Sequence, residues 1–221
     1  MRRRCKDMSG ETQGSFSSRH PRVFLAAVLL VFAAAFLVRV ARLNEAPRDF
    51  WTVRQYSGAL IARVFYFDNN PSVPEWRREV ASGYMRWLAE PPVLEAASAA
   101  VFRLMGSEQF WVPRVITILS WVLGGFLLFL SVRRLLTPEA GLAAAVFHLF
   151  LPYSMAASRS WQPDALMVAG LCGCLLTGLI YFERPAVGRL VLYTLVSAAT
   201  TFVKPGGSLL MMFGLFAGLS I

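Results

Sequence analysis

The chain has 221 residues, 56% of them hydrophobic and 16% charged, and its 22 basic against 13 acidic side chains leave a net charge of +9. Soluble chains run at roughly 25% charged residues, so this composition excludes a disordered protein and argues against an ordinary soluble domain. In a membrane protein a basic excess reports less on a polyanionic partner than on which ends of the spans stay cytoplasmic.

Residues 1–22 form a basic tail, with six cations (Arg2, Arg3, Arg4, Lys6, Arg19, Arg22) against Asp7 and Glu11. The first apolar run, 23–43, is interrupted only by Arg39 and Arg42, which can snorkel from a helix end. No small-x-small cleavage site follows it, so it reads as an uncleaved anchor and not a signal peptide. Residues 44–111 form a long loop of net charge −1. Within it Phe50 to Phe65, then Trp76, Val80, Trp87 and Leu88, recur near helical spacing, with a turn at Phe67-Asp68-Asn69-Asn70-Pro71. A third helical stretch, Val93 to Met105, stops at Gly106. These predict amphipathic helices lying along the outer membrane face.

Residues 112–221 hold the remaining apolar runs: Val115 to Val132, Ala140 to Ala157, Ala165 to Phe182, Leu190 to Val203, and Ser208 to the last residue, Ile221. Fourteen helical residues reach about 21 Å against a hydrocarbon core of about 30 Å, so the sixth span reads as incomplete and the chain as an N-terminal piece of a longer protein. The expected fold is an all-α, multi-pass transmembrane bundle of about six spans. With the basic tail cytoplasmic, Arg133, Arg134, Arg184 and Arg189 also fall inside and the near-neutral loop outside, as the positive-inside rule requires. Trp111, Tyr153 and Trp161 are expected at the outer interface. Cys5, Cys172 and Cys174 form neither a disulfide framework nor a zinc pattern.

Ionisable residues in or beside a membrane are costly and are functional candidates by default. Asp49, Glu90, Arg114, Arg159, Asp164 and Lys204 all fall on the outer side of this topology. Each has a plainer reading. Asp49 can pair with Arg48 or Arg54 on a solvated loop, Asp164 follows Pro163 as a helix N-terminal carboxylate, Glu90 can be a rim charge, and Arg114 and Arg159 can be interfacial snorkels. Lys204 is harder to set aside, because Pro205-Gly206-Gly207 breaks the apolar pattern beside it. His148 suits a buried interhelical hydrogen bond, and Gly170, Cys174 and Gly178 make a small-residue packing face.

The order Asp49, Glu90-Pro91-Pro92, Phe110-Trp111-Val112-Pro113-Arg114, Arg159-Ser160-Trp161-Gln162-Pro163-Asp164-Ala165-Leu166 and Lys204-Pro205 resembles the GT-C membrane glycosyltransferases. Within them it is most similar to family 39, the protein O-mannosyltransferases and the bacterial enzymes that move aminoarabinose or other sugars onto lipid A and lipopolysaccharide. The resemblance implies inverting transfer of a sugar from a polyprenyl-phosphate donor to a glycan, lipid or protein acceptor at the outer face of a bacterial inner membrane. It implies catalytic roles for Asp49, which matches the family's first-loop aspartate and would orient or deprotonate the acceptor, and for Asp164, the aspartate of the Pro-Asp motif. Lys204, Arg159 and Arg54 are the cations expected for the carrier phosphate, and Glu90 joins them as a substrate-binding residue.

Two departures stand out. Glu90 occupies the position before the diproline where aminoarabinose-type enzymes usually carry a basic residue, and Phe50 follows the first aspartate where an acidic residue is common. Both imply different substrates. Glu90 also suits a divalent cation, but no ligand set is evident and no metal is assigned. The expected partners are the lipid-linked donor, its acceptor and membrane lipids, with no nucleic acid. A transporter or permease subunit is the rival class, and it predicts charges near the bilayer midplane; an inactive fragment is the other alternative.

Overall fold

A computed structural model describes residues 15–41, 43–46, 50–68, 70, 73–83 and 90–220. Among these the chain is all-α, and no strand is present. Asp49, Trp87, Leu88 and most of the basic tail lie outside the described residues.

A short turn, α1 (Phe16–Arg19), leads into α2 (Pro21–Val40). Pro21 occupies its first turn, where a missing N–H costs nothing. Leu25, Leu29, Leu30 and Leu37 of α2 are each more than half exposed, as a lipid-facing helix requires. Three helices lie over one end of the bundle as a cap: α3 (Thr52–Phe67), α4 (Glu75–Ser82) and α5 (Val93–Met105). Gly106, at φ +71, terminates α5 in the left-handed conformation that a residue without Cβ adopts freely.

The rest is α6 (Trp111–Leu135), α7 (Pro138–Phe150), α8 (Pro152–Ala157), α9 (Asp164–Glu183), α10 (Val187–Val203) and α11 (Pro205–Ser220). By length and composition α2, α6 and α9 can each cross a membrane, whereas α7 and α10 are shorter apolar helices. The third apolar run is thus not one continuous helix. Pro152 cannot continue a helical ladder and drives the preceding Leu151 to an extended conformation (φ −56, ψ 139), which separates α7 from α8.

Helix α6 is central and packs against both α9 and α7. Its adjacent glycines make this possible, since residues about 100° apart on a helix face different neighbours. A Cβ on Gly124 would stand 3.2 Å from Ala169 Cα of α9, and one on Gly125 would stand 2.9 Å from Leu149 Cδ2 of α7. The α9–α10 contact is closer still. A Cβ on Gly170 would meet Thr200 Oγ1 at 2.4 Å, and Cys174 Sγ lies 3.5 Å from the same hydroxyl. The small-residue face expected on this segment is therefore a helix-packing surface. His148 is likewise a packing residue, stacked on Trp121 at 5.0 Å between centroids with its Nε2 3.3 Å from the Trp121 carbonyl.

Polar ties define the two ends of the bundle. At one end Glu139 at the start of α7 accepts from the Ser17 N–H (2.8 Å), and Arg134 at the end of α6 pairs with Glu183 at the end of α9 (2.7 Å). Arg189 bonds the Arg184 carbonyl there as well. At the opposite end lie the C-terminus of α2, the N-termini of α6 and α9, and the junction of α10 with α11. The cations taken to mark the cytoplasmic side thus share one end, and the cap covers the other.

Candidate active site

The cap is tied to the bundle by apolar packing and by polar contacts, among them one from Gln55. Gln55 of α3 is fully buried; its Nε2 donates to the Phe50 carbonyl (2.5 Å), and its Oε1 accepts the backbone N–H of Trp161 (2.9 Å) in the turn before α9. Trp161 is only 3% exposed and packs edge-to-face on Phe102 of α5, within a cluster that includes Ala59, Ala62, Leu94 and Val112. This corrects its expected place at the membrane interface: α3 and α5 fold over the hairpin and remove the indole from both lipid and water. Tyr153, by contrast, is 64% exposed.

Four of the six sequence-derived site residues converge where the cap meets the bundle. Lys204 is the single residue between α10 and α11; the helix breaks there because Pro205 offers no N–H to continue the ladder. Its Nζ lies 2.6 Å from Asp164 Oδ1, at the start of α9, and 3.9 Å from Glu90 Oε1. The other oxygen of Glu90 pairs with Arg54 Nη2 of α3 at 2.5 Å. Arg54, Glu90, Lys204 and Asp164 thus form a chain of alternating charge that joins segments far apart in sequence. Asp164 Oδ2 is buried and has no hydrogen-bond partner.

The remaining two candidates fare differently. Arg159 turns away, donating from Nη2 to the Ala41 carbonyl (2.6 Å) at the end of α2, close to the buried Arg39, which bonds Ser158 Oγ at 2.7 Å. Asp49 is outside the described residues, but the next residue in the chain, Phe50, is held through its carbonyl by Gln55 and by Gln162 (3.5 Å). Arg114 is buried and donates to the Leu43 carbonyl at 3.0 Å, tying the start of α6 to the chain that leaves α2.

Beside the ion chain lies a cavity of about 160 Å³, lined by Arg54, Gly58, Glu90, Glu95 and Trp161 together with Pro91, Pro92 and Pro163. Glu95 is a site residue that sequence reasoning passed over. It is 7% exposed, and burial pushes its carboxyl up to about 7; its own backbone N–H opposes this, Glu90 adds to it and Arg54 opposes it. A signal was available. Glu95 stands four residues before Ala99 and seven before Phe102, on the buried stripe of α5 and not on its wet face.

Among the described residues no three His, Cys, Asp or Glu side chains group as metal ligands. Glu90 and Asp164 are each engaged by a cation, so the described residues by themselves do not fit the divalent ion considered for Glu90.

Residues 89–219 match the family model described as dolichyl-phosphate-mannose-protein mannosyltransferase. No curated protein and no solved structure matches the chain. The matched segment carries Glu90, Asp164 and Lys204 and extends over more than half of the sequence. The protein is therefore an integral membrane protein of the dolichyl-phosphate-mannose-protein mannosyltransferase family, a family of membrane glycosyltransferases.

Proposed function

We propose that this site transfers a sugar from a polyprenyl-phosphate carrier to an acceptor hydroxyl, with inversion at the anomeric carbon, on the outer face of the membrane. The observation that carries the reading is the Arg54–Glu90–Lys204–Asp164 chain at the capped end of the bundle. When the bond from the anomeric carbon to the phosphate oxygen breaks, charge accumulates on the departing lipid phosphate. Cations already fixed in a water-poor site stabilise that charge without reorganising. Lys204, mostly buried, fills this role, and Arg54 supports it from the exposed rim, because each keeps N–H donors beyond those given to the carboxylates.

The acceptor oxygen attacks opposite the leaving phosphate, and its proton passes to a carboxylate. Asp49 is assigned that proton, and Asp164, with one oxygen on Lys204 and the other unpartnered, positions the acceptor or relays the proton. Glu90 holds Arg54 and Lys204 at their mutual spacing. Arg159, tied to the end of α2, supports the hairpin and acts on the phosphate only through the general field. The setting that fits this chemistry is cell-envelope glycan or lipopolysaccharide modification in a bacterial inner membrane, with the basic tail inside. Charges gathered at one end of the bundle suit an enzyme better than a permease, whose coupling charges belong near the midplane.

The test is transfer of labelled mannose from polyprenyl-phosphate mannose in proteoliposomes. Lys204→Ala should lower the rate by about 10²–10³-fold, the range for removing one preorganised charge-stabilising group, and Asp49→Asn and Asp164→Asn should each reduce it as well. Rates for Lys204→Ala and Asp164→Asn equal to that of the parent, in folded protein, would remove the ion chain from the mechanism.

A further inference from the structure

Among the described residues, Trp51 alone besides glycine has a positive φ (φ 49, ψ 57). In that left-handed region Cβ crowds the neighbouring carbonyl, so a bulky side chain is a genuine outlier there and glycine or asparagine the ordinary occupant. The indole returns little inside the molecule. It is 72% exposed, and its ring meets that of the adjacent Phe50 edge-to-face at 6.4 Å between centroids. Nor is it among the residues lining the cavity beside the ion chain. A strained backbone and an exposed indole are two costs that internal packing does not offset, which points to a contact outside the protein.

The surroundings of Phe50 identify that contact. Phe50 packs against a cluster of bundle side chains, Ala35 of α2, Trp121 of α6, Leu149 of α7, Ala157 of α8 and Ala165 of α9. Helices α2, α6 and α9 are the ones long and apolar enough to cross a membrane, so the chain at Phe50 lies against the ends of the spans and not above them in water. The Phe50 ring also meets Tyr153 of α8 edge-to-face at 5.6 Å. Tyr153 is exposed, and it closely follows Phe147, Phe150 and Leu151, exposed residues at the end of α7. Val53, in the first turn of α3, is exposed as well. Trp51 and Tyr153 thus extend the apolar outer surface of the bundle to its capped end. At the end of a lipid-facing surface acyl chains give way to headgroups, and rings with one polar atom prefer that level because the ring is sheltered while the N–H or O–H finds a partner.

We propose that Trp51, with Tyr153 beside it, is an interfacial anchor that lies among the glycerol and carbonyl groups of the leaflet at the capped end of the bundle. Lipid is the occupant, and not a protein or glycan, because the aromatic surface is continuous with the membrane-facing one and stands apart from the cavity. Contact with lipid compensates for the left-handed backbone. The same contact holds the start of α3, the helix that sends Arg54 to the ion chain and Gln55 to the Trp161 hairpin. The inference needs the chain to lie in a membrane and is independent of the transfer reaction.

The test is fluorescence quenching of the full chain in lipid nanodiscs. The chain has six tryptophans, so the emission of Trp51 is taken as the difference between the parent and Trp51→Gly, a change that removes the indole and suits the left-handed backbone. Trp51→Phe supplies the same difference if the glycine variant fails to fold. Phosphatidylcholine brominated on the acyl carbons nearest the headgroup should quench this difference emission about twofold more than lipid brominated at mid-chain, as expected for an indole at the interface. Acrylamide in the water should quench it several-fold less than it quenches free tryptophan. Difference emission that neither lipid quenches, and that acrylamide quenches as it does free tryptophan, would overturn the proposal and leave the surface to a macromolecular partner. Equal or stronger quenching from mid-chain bromine would overturn it too, by placing the indole in the hydrocarbon.

Discussion

Replacing Gly170 with alanine tests whether packing between two membrane helices sets the geometry of the ion chain. The added Cβ would lie 2.4 Å from Thr200 Oγ1, 2.9 Å from its Cγ2 and 3.0 Å from its Cβ, where ordinary contacts begin at 3.4 Å. Thr200 cannot rotate the conflict away cheaply, because its hydroxyl bonds the Val196 carbonyl at 2.7 Å and a β-branched side chain on a helix has few rotamers. Helix α10 must therefore move out by about 1 Å, since close-packed interiors leave no slack to absorb the clash.

Lys204 follows the last residue of α10, and its 2.6 Å contact with Asp164 on α9 spans this same interface. An outward shift of about 1 Å would take that pair beyond hydrogen-bond length. The cost in stability is about 1–3 kcal/mol, typical of an overpacked core, and the cost in transfer rate is up to about 10²-fold, as for a displaced catalytic group. The assay is thermal unfolding in detergent together with mannose transfer in proteoliposomes, for the parent, Gly170→Ala, Thr200→Ala and the double variant. Thr200→Ala removes the two nearest atoms, so the double variant should recover both properties in part, with a coupling of about 1 kcal/mol. Gly170→Ala that unfolds and transfers like the parent would refute the argument, and so would a double variant that behaves as the sum of its parts.

Glu95→Gln should change the pH dependence of stability. The carboxyl is held near 7 in the folded chain against an ordinary 4.5, so ionising it opposes folding: the parent loses stability as pH rises from about 4.5 to 7 and does not regain it above. Glutamine has no such loss, and its advantage over the parent should grow across that window to the order of 3 kcal/mol by linkage. Parallel melting curves at pH 4.5 and pH 8 check the sign; an advantage that shrinks with pH contradicts the burial of the carboxyl. Gln55→Leu keeps volume but deprives the Trp161 N–H of its acceptor, and it should cost about 1–3 kcal/mol for the orphaned buried group. Limited proteolysis should then cut within α3 or the hairpin before the bundle, and an unchanged digestion pattern would show that Gln55 is not what fixes the cap.

Much of this was legible in the sequence, for reasons that differ from residue to residue. Lys204 was marked by the collision of an apolar run with Pro205-Gly206-Gly207, a local signal that no tertiary contact could override. The grouping of Arg133, Arg134, Arg184 and Arg189 followed from charge counting along the chain. Its counterpart in the structure is that these residues share one end of the bundle. Trp161 was misplaced because an aromatic residue in a short hairpin looks interfacial until one knows that α5 packs Phe102 against it. Glu95 was missed because a charge on an amphipathic helix is read as solvated by default, although its spacing to Ala99 and Phe102 put it on the buried stripe. The break at Pro152 was visible as a residue but not as a consequence, since hydropathy alone carries an apolar run straight through a proline. The Arg54–Glu90 pair spans 36 residues of sequence, and no local pattern announces it.

The cavity and the ion chain beside it are assembled from two stretches of sequence. Glu90, Glu95, Trp161, Asp164 and Lys204 belong to the segment that matches the family model, whereas Arg54, Gln55 and Gly58 come from α3, ahead of it. One jaw of the site thus lies in the matched segment, and the other is the sixteen-residue α3, tied to the hairpin before α9 through Gln55. A methyl gained at position 58 would press on Trp161 and Glu95 while Arg54, Glu90, Asp164 and Lys204 stay where they are.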